Sequence, residues 1–206
     1  MDSELKDICQ LKKEFDDLNS SDKLAYIRFY ENNIDSIDNI DINKDYNHYN
    51  AKLRLFCEYG LSLVGGGLYS KGVSVLSEAI PMFENDPTQG KSELKKISYY
   101  EHLLWNYAMA LWEIRKIDSS IVIFKQLVDY YPDNDKYKNW LKGLKAKKIG
   151  KITKPIWFVC LIWLIGEFTI FQKFDSKIQF YIAAFGAGLL IIVAILELYM
   201  YLVQRK

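Results

Sequence analysis

Glu167 is the residue whose surroundings most suggest chemistry. It stands twelve positions past Pro155 inside an apolar run, PIWFVCLIWLIGEFTIF. A carboxylate held in such a run is costly to ionise, so it is a candidate for a proton or ion site. The alternative role is structural: a protonated carboxyl hydrogen-bonding across a helix interface. Elsewhere the catalytic vocabulary is thin. The two histidines, His48 and His102, stand in no metal-binding spacing, and His48 reads as a solvated residue in the polar run DYNHYN. Gly65, Gly66 and Gly67 lack the Gly-Lys-Ser/Thr that completes a phosphate loop, and a turn between helices explains them. Cys9, Cys57 and Cys160 are too scattered for a disulfide framework or a zinc site, and read as free thiols. No nucleophile has a base at a telling distance in sequence. The chain is read as non-enzymatic, with no cofactor and no metal.

The elements that would position Glu167 are two apolar segments, residues 155–171 and 178–203. A bilayer core of about 30 Å takes about 20 helical residues, with about 17 as the lower limit. The second segment passes easily, and the first passes with help from residues 172–174. Trp157, Tyr181, Tyr199 and Tyr201 sit towards the ends, where amphipathic rings favour the headgroup layer. Pro155 suits the first turn of a helix. Six intervening residues permit only a hairpin, which predicts two antiparallel transmembrane helices over 155–206. At 1.5 Å per residue Glu167 lies about 18 Å into its helix, level with residues 186–188 of the second. There Ala183/Ala187 and Ala184/Gly188 form small-xxx-small pairs that allow close helix contact or homo-oligomerisation. Glu197 lies nearer the end and could snorkel.

Lysines orient the hairpin. Residues 136–154 carry eight (136, 138, 142, 145, 147, 148, 151 and 154) and no acid, and Arg205 and Lys206 follow the second span. The connection has only Lys173 and Lys177. Positive charge stays inside, which places the N-terminal region and the C-terminus in the cytoplasm. The charged N-terminus, without an apolar core, does not read as a signal peptide. Lys145, Lys147, Lys148, Lys151 and Lys154 would also attract anionic lipid. Nucleic acid is disfavoured, since aromatic interleaving is sparse.

The soluble part reads as all-α. In RLFCEYGLSLVGGGLYSKGVSVLSEAI, residues 54–80, Phe56, Gly60, Gly67, Tyr69, Gly72, Leu76 and Ala79 occur in a telling order. Residues 103–132 repeat the register with Leu104, Ala108, Leu111, Ser120, Phe124 and Pro132, while Arg115 replaces the turn glycine and Leu127 the late alanine. This pattern resembles the tetratricopeptide (TPR) repeat, in which small residues let paired helices touch and bulky ones fill the space between them. The spacing departs from the family: Gly60 to Ala108 is 48 residues against about 34. The excess is assigned to residues 81–94 as a longer helix and loop.

The expected organisation is N-terminal helices over 1–50 (a degenerate repeat is one option), TPR-like repeats over 51–132, a capping helix and polybasic segment over 133–154, and the hairpin. Leu5, Ile8, Leu11, Phe15 and Leu18 recur at helical spacing, Ser20 to Asp22 can cap a second helix carrying Leu24, Ile27 and Tyr30, and residues 34–45 read as a loop with a helical start. Tyr137, Trp140, Leu141 and Leu144 form the stripe of a terminal helix. Pro81, Pro87 and Pro132 read as segment ends.

The TPR resemblance implies a groove lined by the first helix of each repeat. By register this is His102, Trp105, Met109, Trp112 and Glu113 in the second unit, and Arg54, Cys57, Leu61 and Val64 in the first. The Lys/Asn clamp of chaperone-binding members is missing. An apolar helix or peptide from a protein partner is one occupant; the chain's own N-terminal helix is the other. Two functions follow as expectations: a membrane-anchored adaptor or scaffold, or a hairpin that oligomerises into a pore controlled by the soluble part.

Overall fold

A computed structural model describes residues 6–19, 21–88, 90, 93–169 and 175–205, with side chains except at 167–169, 200 and 203–205. All regular secondary structure among these residues is helical. The chain divides into two units, Met1–Asp133 and Asn134–Lys206.

The first unit opens with α1 (Ile8–Asp16), α2 (Lys23–Asn32) and the short α3 (Ile34–Asp38). Aspartates start the first two: Asp7 accepts from the Gln10 N–H and Asp22 from the Ala25 N–H, each satisfying an amide that has no partner within the helix. Asp45 does the same for α4 (Tyr46–Gly65), accepting from the His48 N–H at 2.9 Å. His48 therefore belongs to the first turn of a helix and is half-buried, contrary to its reading as a solvated residue. Its Nδ1 lies 2.8 Å from Asp45 Oδ1. Leu11, Phe15, Ile27, Phe29, Tyr30, Ile37 and Ile40 close over Leu55, Tyr59 and Leu63 of α4. The Tyr30 and Tyr59 rings stack 3.9 Å apart. Of the apolar residues expected to face inward, Leu24 is exposed, and Leu5 lies outside the described residues.

Two helical hairpins follow: α4 with α5 (Tyr69–Glu84), and α6 (Ser98–Glu113) with α7 (Ile117–Tyr130). Packing runs in sequence, α2 on α4, α4 on α5, α5 on α6 and α6 on α7. The two turns are alike. Gly67 has φ +79° and Arg115 has φ +62°. The Leu68 N–H donates to Leu63 O at 2.8 Å and Gly67 to Val64 O at 3.0 Å, while Lys116 donates to Leu111 O at 2.9 Å and Arg115 to Trp112 O at 2.9 Å. This is a Schellman cap, which places its left-handed residue just past the helix end. Every partner in the second turn lies 48 residues after its counterpart.

The same offset governs the helix contact. A Cβ on Gly60 would come within 2.6 Å of Leu76 Cδ2, and one on Gly72 within 2.7 Å of Val64 Cγ2 and 3.5 Å of Gly60 O. In the second hairpin the pair is Ala108 and Ser120, and the Ser120 hydroxyl donates to Ala108 O at 2.8 Å. Leu76 and Phe124, both fully buried, fill equivalent space. Pro81, read as a segment end, lies instead inside the last turn and a half of α5. Its missing N–H costs least near a helix end. The described residues of the link 85–97 include a 3-10 turn, Leu94–Lys96.

The second unit holds α8 (Asp135–Thr169) and α9 (Ser176–Arg205). Both are long and apolar enough to cross a membrane. The polybasic segment and the first apolar run form one helix with Pro155 in its interior, not at its first turn. Interior proline costs about 3 kcal/mol in water, but long apolar helices tolerate it where neighbouring groups satisfy the freed carbonyl. α8 and α9 pack on one another, with Trp157 Nε1 donating to Glu197 Oε1 at 2.7 Å and the Trp163 ring 5.1 Å from that of Phe185.

Candidate functional site

On the α4/α6 side of the first unit, Asn50, Leu53, Arg54, Cys57 and Glu58 line a cleft of about 230 Å³ together with Phe83 of α5 and Tyr99 of α6. Arg54 is on the rim. Its guanidinium pairs with Asp16 at 2.8 Å and lies over the Phe15 ring, 5.1 Å from the centroid, so α1 holds it in place. Tyr99 donates its hydroxyl to Glu58 Oε1 at 2.9 Å. Burial, then the nearby Cys57 and Glu58, push the Tyr99 phenol well above its ordinary range. Cys57 is fully buried at the floor, and burial pushes its thiol up to about 12. A nucleophilic cysteine needs the opposite shift, so this thiol is neutral and inert. The cleft offers a cation and a carboxylate one helical turn apart on α4, above an apolar floor, which is a surface for hydrogen bonding.

Seven of the nine expected groove residues are elsewhere. Leu61 and Val64 are buried. Val64 is pressed against Gly72 inside the α4–α5 contact, because the small residue at 72 draws that face of α4 inward. Neither lines a groove. On α6, His102 and Glu113 are exposed, while Trp105, Met109 and Trp112 are half-buried. Trp105 stands edge-on to Phe124 with ring centroids 5.6 Å apart, and Asn106 Nδ2 donates to His102 O at 2.8 Å. Of the nine expected groove residues, Arg54 and Cys57 are among those lining the cleft. Glu58 and Tyr99 were not singled out from sequence; the Arg54/Glu58 spacing of four was a visible signal for the first, and nothing local marked the second.

In the second unit Gly186 packs on Trp163, where an added Cβ would meet the indole Nε1 at 2.6 Å. Cys160, Trp163, Leu164, Ala183, Gly186, Ala187, Leu189 and Leu190 surround a cleft of about 170 Å³ between α8 and α9. The level of Gly186 is therefore that of Trp163, one turn short of Glu167. Ala184 is exposed and a Cβ added at Gly188 would meet nothing within 4 Å, so this pair is not the contact between the two helices; Gly186 is. The Glu167 side chain lies outside those described. Glu197 accepts the Trp157 hydrogen bond. Lys147, Lys148, Lys151 and Lys154 are exposed and Lys145 is half-buried.

Among the described residues no group of three or more His, Cys, Asp or Glu side chains is arranged to hold a metal ion. Compared with protein-family models, with curated proteins and with solved structures, the chain has no match.

Proposed function

We propose that the chain is an integral membrane protein whose TPR-like helical unit acts as an adaptor, holding a protein partner at the cytoplasmic face. The observation that carries the membrane half is the exposure of the apolar helices. Only 11% of each apolar window is buried, whereas a core hairpin of a soluble protein would cover most of it. α8 and α9 are read as an antiparallel transmembrane hairpin, and the lysines before it set N-terminal and C-terminal ends inside. The adaptor half rests on the duplicated turn and contact geometry of the two hairpins, which is how helical-repeat layers build extended binding faces. Arg54, Glu58 and Tyr99 form the part of that face richest in polar groups.

Two experiments test this. Alkaline carbonate treatment of membranes should leave the chain in the pellet, and protease added to sealed inside-out vesicles should remove residues 1–133. A photo-crosslinker at Asn50 and another at His102 should trap one common protein, and Arg54→Glu with Glu58→Lys should abolish the Asn50 adduct. Release by carbonate would overturn the anchor; unrelated adducts insensitive to the substitutions would overturn the adaptor.

A pore-forming hairpin is the second reading, favoured by the outward position of Ala184 and Gly188 on α9. Gly188→Leu together with Glu167→Gln would then abolish ion leakage from reconstituted vesicles and leave the crosslinks intact.

A further inference from the structure

The lysine segment is more than a topology signal once its geometry is known. Lys147, Lys151 and Lys154 stand at i, i+4 and i+7 of α8, which is one face of a helix, and Lys148 flanks them. All four are exposed. Residues 136–154 contain no acid, and like charges at this spacing repel by a few tenths of a kcal/mol per pair. The helix that carries them runs without interruption into the exposed Trp157, Phe158, Leu161 and Ile162. The height of each ammonium-bearing residue above the apolar band is therefore set by helical rise. Lys154 is at its edge and Lys147 about 10.5 Å further out. A headgroup layer is about 5–7 Å thick per leaflet, and charge is felt for about 8 Å beyond it at physiological salt. All four fall in that zone.

We infer that this face binds the phosphate headgroups of anionic phospholipids in the leaflet that α8 enters, so that the protein carries a shell enriched in anionic lipid. The inference rests on the membrane-spanning reading of α8, and adds the lipid class and the residues that select it. Each lysine contributes independently through its charge, so arginine replaces it and glutamine does not.

The test uses the full chain reconstituted in phosphatidylcholine vesicles containing a minor fraction of phosphatidylglycerol. Tryptophan quenching is read with bromine carried either by the phosphatidylglycerol or by an equal fraction of the phosphatidylcholine. Trp157, at the edge of the band, and Trp163 report from inside the apolar run. The expected result is quenching about threefold or more stronger from brominated phosphatidylglycerol. It falls to parity at about 0.5 M salt, where charge is screened within roughly 4 Å. Parity is also expected for Lys147→Gln, Lys148→Gln, Lys151→Gln and Lys154→Gln combined, but not for the four arginine substitutions. Equal quenching by the two lipids in the unmodified chain overturns the inference while leaving the anchor intact, and so does a preference that survives salt. If neither lipid quenches any tryptophan, the chain has not inserted and the anchor itself fails. Should the glutamine variant not insert, the salt titration of the unmodified chain still decides.

Discussion

Replacing Arg115 with glycine is expected to stabilise the first unit, although it removes a whole side chain. Arg115 sits at φ +62° in the α6–α7 turn, a left-handed conformation that costs a residue with a Cβ about 1–2 kcal/mol. Its side chain is exposed, so no buried packing is lost. Glycine removes the conformational cost but adds about 0.4–1 kcal/mol of chain entropy in the unfolded state. The net gain is about 0.5–1 kcal/mol, or roughly 2–5 °C in the melting midpoint of a unit this size. The reciprocal change is Gly67→Ala. A Cβ there meets no atom within 4 Å, so its cost is purely conformational, about 1 kcal/mol against the fold. The assay is urea unfolding of the full chain in detergent micelles, followed by far-UV circular dichroism, for both single variants and the double. Separated turns act independently, so the effects should add. An unchanged or lowered midpoint for Arg115→Gly, or a neutral Gly67→Ala, would refute the claim that both hairpins close on the same cap.

Gly72→Val is expected to cost about 1–3 kcal/mol, because even its Cβ would lie 2.7 Å from Val64 Cγ2 and 3.3 Å from Val64 N; the same urea titration measures it. Ser120→Ala, at the matching position, loses one buried hydrogen bond and about 1 kcal/mol. Cys57, with its thiol pushed up to about 12, should resist a water-soluble disulfide reagent at pH 8 until denaturant is added, while the exposed Cys9 reacts at once; early labelling of Cys57 would contradict its burial. The Glu31–Lys71 pair at 2.6 Å gives a pH window. The Lys71 hydrogen bond holds the Glu31 carboxyl below its usual range, and Glu31 holds the Lys71 ammonium above its own. Glu31's contribution is thus complete above its unfolded value of about 4.3 and lost as pH falls through the lower folded one. That of Lys71 is complete below about 10.4 and lost as pH rises through the higher one. Both side chains are about half exposed, so screening limits the pair to under about 1 kcal/mol. Glu31→Gln should lower the urea midpoint slightly at pH 7, and the loss should shrink as pH falls below about 4.3.

Helix placement was legible in the sequence wherever the signal is local. Asp22 before α2 and Gly67 after α4 act on amides and carbonyls within a few residues of themselves, so their types announce the ends. The equivalence of Gly67 and Arg115, and of Gly72 and Ser120, was legible too, because a repeated contact imposes a repeated size pattern. The two apolar runs declared themselves by length alone. Spacing could not give the level at which α8 meets α9, since that depends on which side chain fills which gap. Trp163 needs the space that Gly186 leaves, and this moved the contact one turn from Glu167.

Sequence alone therefore determined that the chain is helical, where α2 begins and where the two hairpin turns fall, and that two segments suit hydrocarbon, because each is written in residues that are neighbours along the chain. Only the tertiary structure decided which face of a helix is covered. Leu61 and Val64 share the apolar character of a groove lining, yet both are buried, Val64 against Gly72 of α5, while Arg54 stays at the rim beside Asp16. Burial is settled by partners dozens of residues away, and their approach depends on the volume left by residues such as Gly60 and Gly72. Tyr99 reached Glu58 in the same way: through a packing of helices that no stretch of local sequence describes.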